Sequence, residues 1–119
     1  MERAHMDEVN EMMKVEAIIR SEKLGAVKSA LEDIKVHGMT VSEVKGRGEQ
    51  KGLEFTHRAG KFRIDMLPKT KIEIVIKDSM VNSVIETICN SARTGEVGDG
   101  KIFVLPVLKS IRVRTGEEE

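Results

Sequence analysis

ARTGEVGDGKIFV, residues 92–104, decides between two folds. From Gly95 the stretch reads G-E-V-G-D-G-K, which matches a nucleotide-cradling P-loop as far as Lys101. The next place needs Ser or Thr to reach a magnesium ion, and it is Ile102. A P-loop also opens a helix, whereas IFVLPV is a short apolar run with β-branched and aromatic residues and predicts a strand over 101–107. No P-loop is present, and two readings of 95–101 stand: a glycine loop that binds phosphate in another way, or a helix-to-strand turn.

Working outward, Asp78 or Ser79 is positioned to cap a helix whose Met80, Val81, Val84, Ile85 and Ile88 share one face, with Gly95 closing it. TKIEIVIK, 70–77, alternates and predicts a strand. Further upstream, KVEAIIR (14–20) reads as a buried strand. Ser21 is the expected N-cap of a helix carrying Leu24, Val27, Leu31 and Ile34, which ends near His37-Gly38. MTVSEVK, 39–45, is a further strand. The connection 46–69 has glycines at 46, 48, 52 and 60 and weak periodicity, and a connection of that length in a small domain is usually functional or mobile. IRVR, 111–114, predicts a short last strand, and residues 1–12 a polar extension ahead of a domain over 13–119. The order is β-α-β-β-α-β, an α+β ferredoxin-like unit, which many activities use.

Twenty Lys and Arg balance twenty Asp and Glu, which argues against a nucleic-acid partner. Three Phe with no Trp or Tyr leave little for stacking RNA bases. The lone Cys89 forms no internal disulfide and is expected as a small buried apolar residue. No membrane-spanning run or signal-peptide pattern occurs, so a cytoplasmic location is expected.

Several residues could carry ligand chemistry. Successive N–H groups in the 95–101 loop can form an anion-binding nest, and Lys101 adds a positive charge. Arg112 and Arg114, two apart on a strand, would share a face and suit a phosphate between them, or else protect a solvated edge. Gln50, in the turn 46–52, offers an amide oxygen to magnesium. His5, His37 and His57 lack metal-ligand spacing, and no nucleophile-base pair or isolated carboxylate pair points to a catalyst.

GMTVSEVKGRGEQKG (38–52), LPKTKIEIV (67–75), ARTGEVGDGKIFVLPV (92–107) and IRVRTGE (111–117) together resemble the PII signal-transduction family, of the GlnK type, from about Met13 to Glu117. The resemblance implies a homotrimer of the ferredoxin-like unit with a long T-loop between strands 2 and 3. It implies ATP or ADP in clefts between subunits, 2-oxoglutarate bound together with Mg-ATP, and an ammonium transporter blocked at the cytoplasmic membrane face. Glutamine synthetase or other nitrogen-metabolism proteins are further implied partners. No enzymatic activity is expected of the chain.

Carried over, Gly98, Asp99, Gly100 and Lys101 would hold phosphates, with Arg112 and Arg114 beside them. Gly38, Met39 and Thr40 would line the base and ribose pocket, and Glu73 and Val75 would help read the base across the subunit interface. Gly46, Gly48 and Gln50 would lie at the nucleotide site, with Gln50 coordinating magnesium shared with 2-oxoglutarate. Lys51 and Gly52 would join Gln50 around 2-oxoglutarate, and Lys69 would pair with its distal carboxylate. Arg58 stands where the family's loop tip enters the transporter. The chain departs from the family's pattern at Phe62, which replaces the tyrosine uridylylated in many members, and at His57, another common tyrosine place. It departs again at Glu49, where most members are basic or neutral. A carboxylate there would repel the γ-phosphate or bind a cation, and an alternative reading is a nucleotide-binding trimer with little 2-oxoglutarate response that regulates a metabolic enzyme. An enzyme acting on a nucleotide, or a metal-binding trimer like the copper-tolerance relatives, is the remaining alternative.

Overall fold

A computed structural model of the protein describes residues 11–47, 53–57, 60–64 and 66–119, with the backbone alone for 53–57 and 60–64. The elements are β1 (Met12–Ile19), α1 (Leu24–Asp33), β2 (Thr40–Gly46), β3 (Leu53–His57), β4 (Gly60–Ile64), β5 (Leu67–Lys77), α2 (Val81–Ala92) and β6 (Gly100–Pro106). A 4-stranded antiparallel sheet has the order β2-β5-β1-β6, and β3 and β4 form a separate antiparallel pair. This is the ferredoxin-like arrangement the element order implies.

Alternation in the two inner strands decides where the helices go. Val15, Ala17 and Ile19 of β1 and Ile72 and Ile74 of β5 all point to one face and are buried. Val27 and Leu31 of α1 and Val84, Ile88 and Ala92 of α2 cover that face, and these residues form one continuous core. The intervening positions on the opposite face carry charge: Lys14 pairs with Glu73 and with Glu16, and Lys71 lies 3.9 Å from Glu16. The Lys14 contact holds the Glu73 carboxyl below its ordinary range, and Glu73 in turn raises the Lys14 ammonium.

The structure corrects several boundaries. Neither helix opens on a side-chain cap: each is entered through a 3-10 turn, Ser21–Lys23 or Asp78–Met80, whose N-caps are Arg20 and Lys77. The Ser21 hydroxyl instead meets that of Thr70 at 2.9 Å, because Thr70 is fully buried and a buried hydroxyl needs a partner. α1 stops at Asp33, before His37-Gly38. The left-handed residue there is Lys35, φ 70, and the amide of Val36 donates to the Leu31 carbonyl at 2.9 Å. α2 stops at Ala92, short of Gly95. β1 begins at Met12, inside the expected extension, and the amide of Asp78 donates to the carbonyl of Glu11 at 2.8 Å.

Within 46–69 the chain makes the β3–β4 pair with His57 opposite Gly60, and β5 starts at Leu67 rather than Thr70. The signal was present in LEFTH and GKFRI, short strand-forming runs separated by two residues. The segment 111–114 adds no strand to the sheet. Ile111 makes an isolated bridge with Glu118, and the chain turns at Gly116, φ 72. The alternation argument that put Arg112 and Arg114 on one face therefore fails.

Gly100 begins β6 opposite Ile19 with φ 118, and a Cβ there would stand 1.8 Å from the carbonyl oxygen of Ile18. Gly116 is also left-handed, but a Cβ there would meet nothing within 4 Å. Gly100→Ala is expected to cost about 2–5 kcal/mol, a left-handed penalty plus a backbone clash, and Gly116→Ala only about 1–2 kcal/mol, the left-handed penalty alone. Urea unfolding of both variants checks this, and equal losses would contradict the close approach.

Candidate functional site

The loop between α2 and β6 holds the chemistry. Gly95 and Gly98 have φ 93 and 102, conformations that side chains with a Cβ rarely adopt. Asp99 closes the loop on itself. Its Oδ2 accepts the amides of Thr94 at 2.8 Å and Gly95 at 2.9 Å, while its Oδ1 accepts the Thr94 hydroxyl and, at 3.1 Å, Nε of Arg20. The Thr94 hydroxyl first, then the Thr94 amide, the Gly95 amide and the Arg20 guanidinium, hold this carboxyl well below the usual carboxylate range. Arg20 reaches further, donating to the Val97 carbonyl at 2.8 Å, and Lys69 donates to the Gly98 carbonyl at 2.7 Å. Burial pushes the Lys69 ammonium below its ordinary value, and the nearby Arg20 charge pushes it the same way. Two cations therefore converge on one glycine loop from the adjacent ends of β1 and β5.

The expected nucleotide residues fall into two groups. Gly98, Asp99, Gly100 and Lys101 lie at the start of β6, together with Lys69, and Lys101 is exposed opposite Ile18. Thr40 stands opposite Glu73 on β2 and β5, and Val75 is exposed on the same face as Glu73. Met39 packs against the core, Gly38 precedes β2, and Gly46 ends β2 opposite Leu67. β2 and β6 are the two edges of the sheet, separated by three strand spacings, roughly 14 Å. Arg112 and Arg114 are exposed in the segment after β6, where the Arg112 guanidinium meets Glu119 at 3.2 Å. Gly48, Gln50, Lys51, Gly52 and Arg58, along with Glu49, lie outside the described residues, and nothing is described of the His57 and Phe62 side chains. Sequence reasoning missed Arg20. Its only signal was position, the residue that ends KVEAIIR beside the start of Lys69's strand.

Cys89 is half-buried rather than buried. It lines a cavity of about 320 Å3 between α2 and β6 with Ile85, Ile88, Ala92, Asp99, Lys101 and Ile102. Among the described residues no group of His, Cys, Asp and Glu is arranged to hold a metal, and no helix is long and apolar enough to cross a membrane.

The Nitrogen regulatory protein P-II family profile matches residues 12–117. The chain belongs to this family. It is 57% identical over 106 residues to Nitrogen regulatory protein P-II 2 of Methanothermobacter thermautotrophicus, covering 89% of this chain and 92% of that one. Against Nitrogen regulatory protein P-II 1 of Escherichia coli it is 50% identical over 108 residues, 91% and 96% of the two chains. The crystal structure of Arabidopsis thaliana PII bound to citrate superposes with a TM-score of 0.74 at 49% identity, covering 92% of this chain and 90% of that one. The chain is thus a nitrogen regulatory P-II protein, a signalling regulator by family.

Because Asp99 titrates below the ordinary carboxylate range in the folded state, its contribution to stability is present above the unfolded carboxyl value, near 3.8, and is lost as pH falls through the depressed folded value. The stability gap between the unaltered chain and Asp99→Asn is expected to be constant from about pH 6 to 8 and to narrow only below about pH 4. Urea unfolding across that range checks this, and a gap that already narrows at neutral pH would contradict it.

Proposed function

We propose that the chain is a P-II signal protein of the GlnK type. It binds ATP or ADP, and 2-oxoglutarate with magnesium, between the subunits of a homotrimer, and controls an ammonium transporter through the 46–69 segment. The observation that carries this reading is the convergence of Arg20 and Lys69 on the glycine loop 94–100, with Lys101 next in line. Burial first, and then the Arg20 charge, lower the Lys69 ammonium, and a polyphosphate or dicarboxylate beside it would favour its charged form. Citrate in the Arabidopsis thaliana PII crystal gives a precedent for a small carboxylate on this fold.

A trimer fits the uncovered face of the sheet. Phe103 and Leu105, on β6 beside the Glu16 and Lys14 row, are exposed, as is Val75. A second copy would bury them and bring one chain's Thr40, on the β2 edge opposite Glu73, beside another's 98–101 loop. The protein then acts by binding, at the cytoplasmic membrane face when its transporter holds it and in the cytoplasm otherwise. Glu49, beside Gln50, favours a second reading in which 2-oxoglutarate binds weakly and the partner is a metabolic enzyme.

Calorimetric titration with ATP, with and without magnesium and 2-oxoglutarate, separates these readings: cooperative binding of the two ligands supports the first, and ATP binding indifferent to 2-oxoglutarate the second. Lys101→Ala is expected to weaken ATP binding by about 1–3 kcal/mol, the scale of a lost charged hydrogen bond. An unchanged isotherm would remove Lys101 from the site. Arg58→Ala is expected to keep its nucleotide affinity but lose capture by membranes containing the transporter, and undiminished capture would refute that role.

A further inference from the structure

Asp99 was expected to hold phosphate, yet its carboxylate faces the loop. Oδ1 carries the Thr94 hydroxyl and Arg20 Nε, and Oδ2 carries the amides of Thr94 and Gly95. A carboxylate offers about four lone-pair sites, so these donors occupy all of them. A free carboxylate beside a phosphate would in any case repel it. Arg20 uses its second nitrogen on the Val97 carbonyl, so one guanidinium joins both limbs of the loop to the end of β1. A point charge such as Lys cannot copy that forked geometry.

We propose that Arg20 and Asp99 are a positioning pair: they set the 94–100 loop to receive the phosphates of a nucleotide without either side chain touching the ligand. This rests on the nucleotide reading above. Each peptide is planar and trans, so an N–H points opposite to the carbonyl it follows. With the Val97 carbonyl drawn to Arg20 and the Gly98 carbonyl drawn to Lys69, the amides of Gly98 and Asp99 are turned away from the two cations. Successive amides aimed one way are what an anion-binding nest requires. Arg20 thus orients the loop's donors by holding its acceptors. The side chains of the pair are partly covered, 18% and 25% exposed, so water competes less for the contact than at an open surface.

The test compares ATP, ADP and AMP affinities of the full chain with those of Asp99→Asn, Arg20→Lys and Arg20→Ala, with thermal unfolding measured alongside. A positioning pair requires Asp99→Asn to weaken ATP binding by about tenfold or more, the scale of a lost charged contact, and AMP binding less. Arg20→Lys should fall nearly as far as Arg20→Ala. Tighter ATP binding in Asp99→Asn would mean that the carboxylate faces the phosphate, and would overturn the proposal. So would equal losses for ATP and AMP, or full rescue by Arg20→Lys, which would make Arg20 a simple point charge. Should Asp99→Asn fold poorly, Thr94→Val removes one of the carboxylate's donors and is expected to shift the same ATP-to-AMP ratio in the same direction by a smaller factor, and an unmoved ratio counts against the pair. If the unaltered chain binds no adenine nucleotide, the nucleotide reading fails and the pair with it. If it binds while the variants match it, only the pair falls.

Discussion

β1 is paired on both edges, to β5 and to β6, and its alternate residues Val15, Ala17 and Ile19 must leave water on one side only. That constraint places both helices. α1 and α2 supply Val27, Leu31, Val84 and Ile88 to the same face, and the other face is left to Lys14, Glu16, Lys71 and Glu73. A register slip of one residue would exchange the two sets, burying the charges and exposing the core, so the pairing is strongly specified. The end of β1 is then determined as well. Ile19 meets Gly100 on one side and Thr70 on the other, which puts Arg20 between the glycine loop and Lys69.

That placement explains why a loop of small and polar residues has one shape. Glycines alone would leave it free, because each adds conformational entropy to the competing states. The Asp99 carboxylate removes that freedom by collecting donors from Thr94, Gly95 and Arg20, and Gly100 allows the backbone to close on the Ile18 carbonyl where a Cβ would collide. Charge gathered at the end of the sheet is suited to recognising an anion, and Lys69, lowered first by burial and then by the Arg20 charge, is a group whose charged form an anion would favour.

Membership of the P-II family joins this local chemistry to a regulatory role. A regulator of this construction needs no reacting group. In any regulator that works by binding, the ligand's differential affinity for two states sets how far the population moves. The two edge strands, β2 carrying Thr40 and β6 following the glycine loop, lie about 14 Å apart in one chain, which is why neighbouring copies matter to the proposed site.

Period-two and period-3.6 patterns in 14–20, 24–34, 39–45, 70–77, 80–88 and 101–107 marked the four strands of the main sheet, the two helices and the ferredoxin-like order, because those patterns express which face leaves water. The β3–β4 pair, by contrast, was missed, and the strand expected at 111–114 adds nothing to the sheet. Ile102, which has no hydroxyl for magnesium, and the strand-forming run after it excluded a P-loop, and the quoted motifs marked the family. Contacts between residues distant in sequence were not legible. Ser21 resembles an N-cap but is taken by Thr70, the Asp99 carboxylate is taken by Thr94, Gly95 and Arg20, and Arg112 resembles a strand residue but lies outside the sheet and meets Glu119. A polar side chain has several partners it could satisfy, and only the folded chain determines which one is within hydrogen-bond reach.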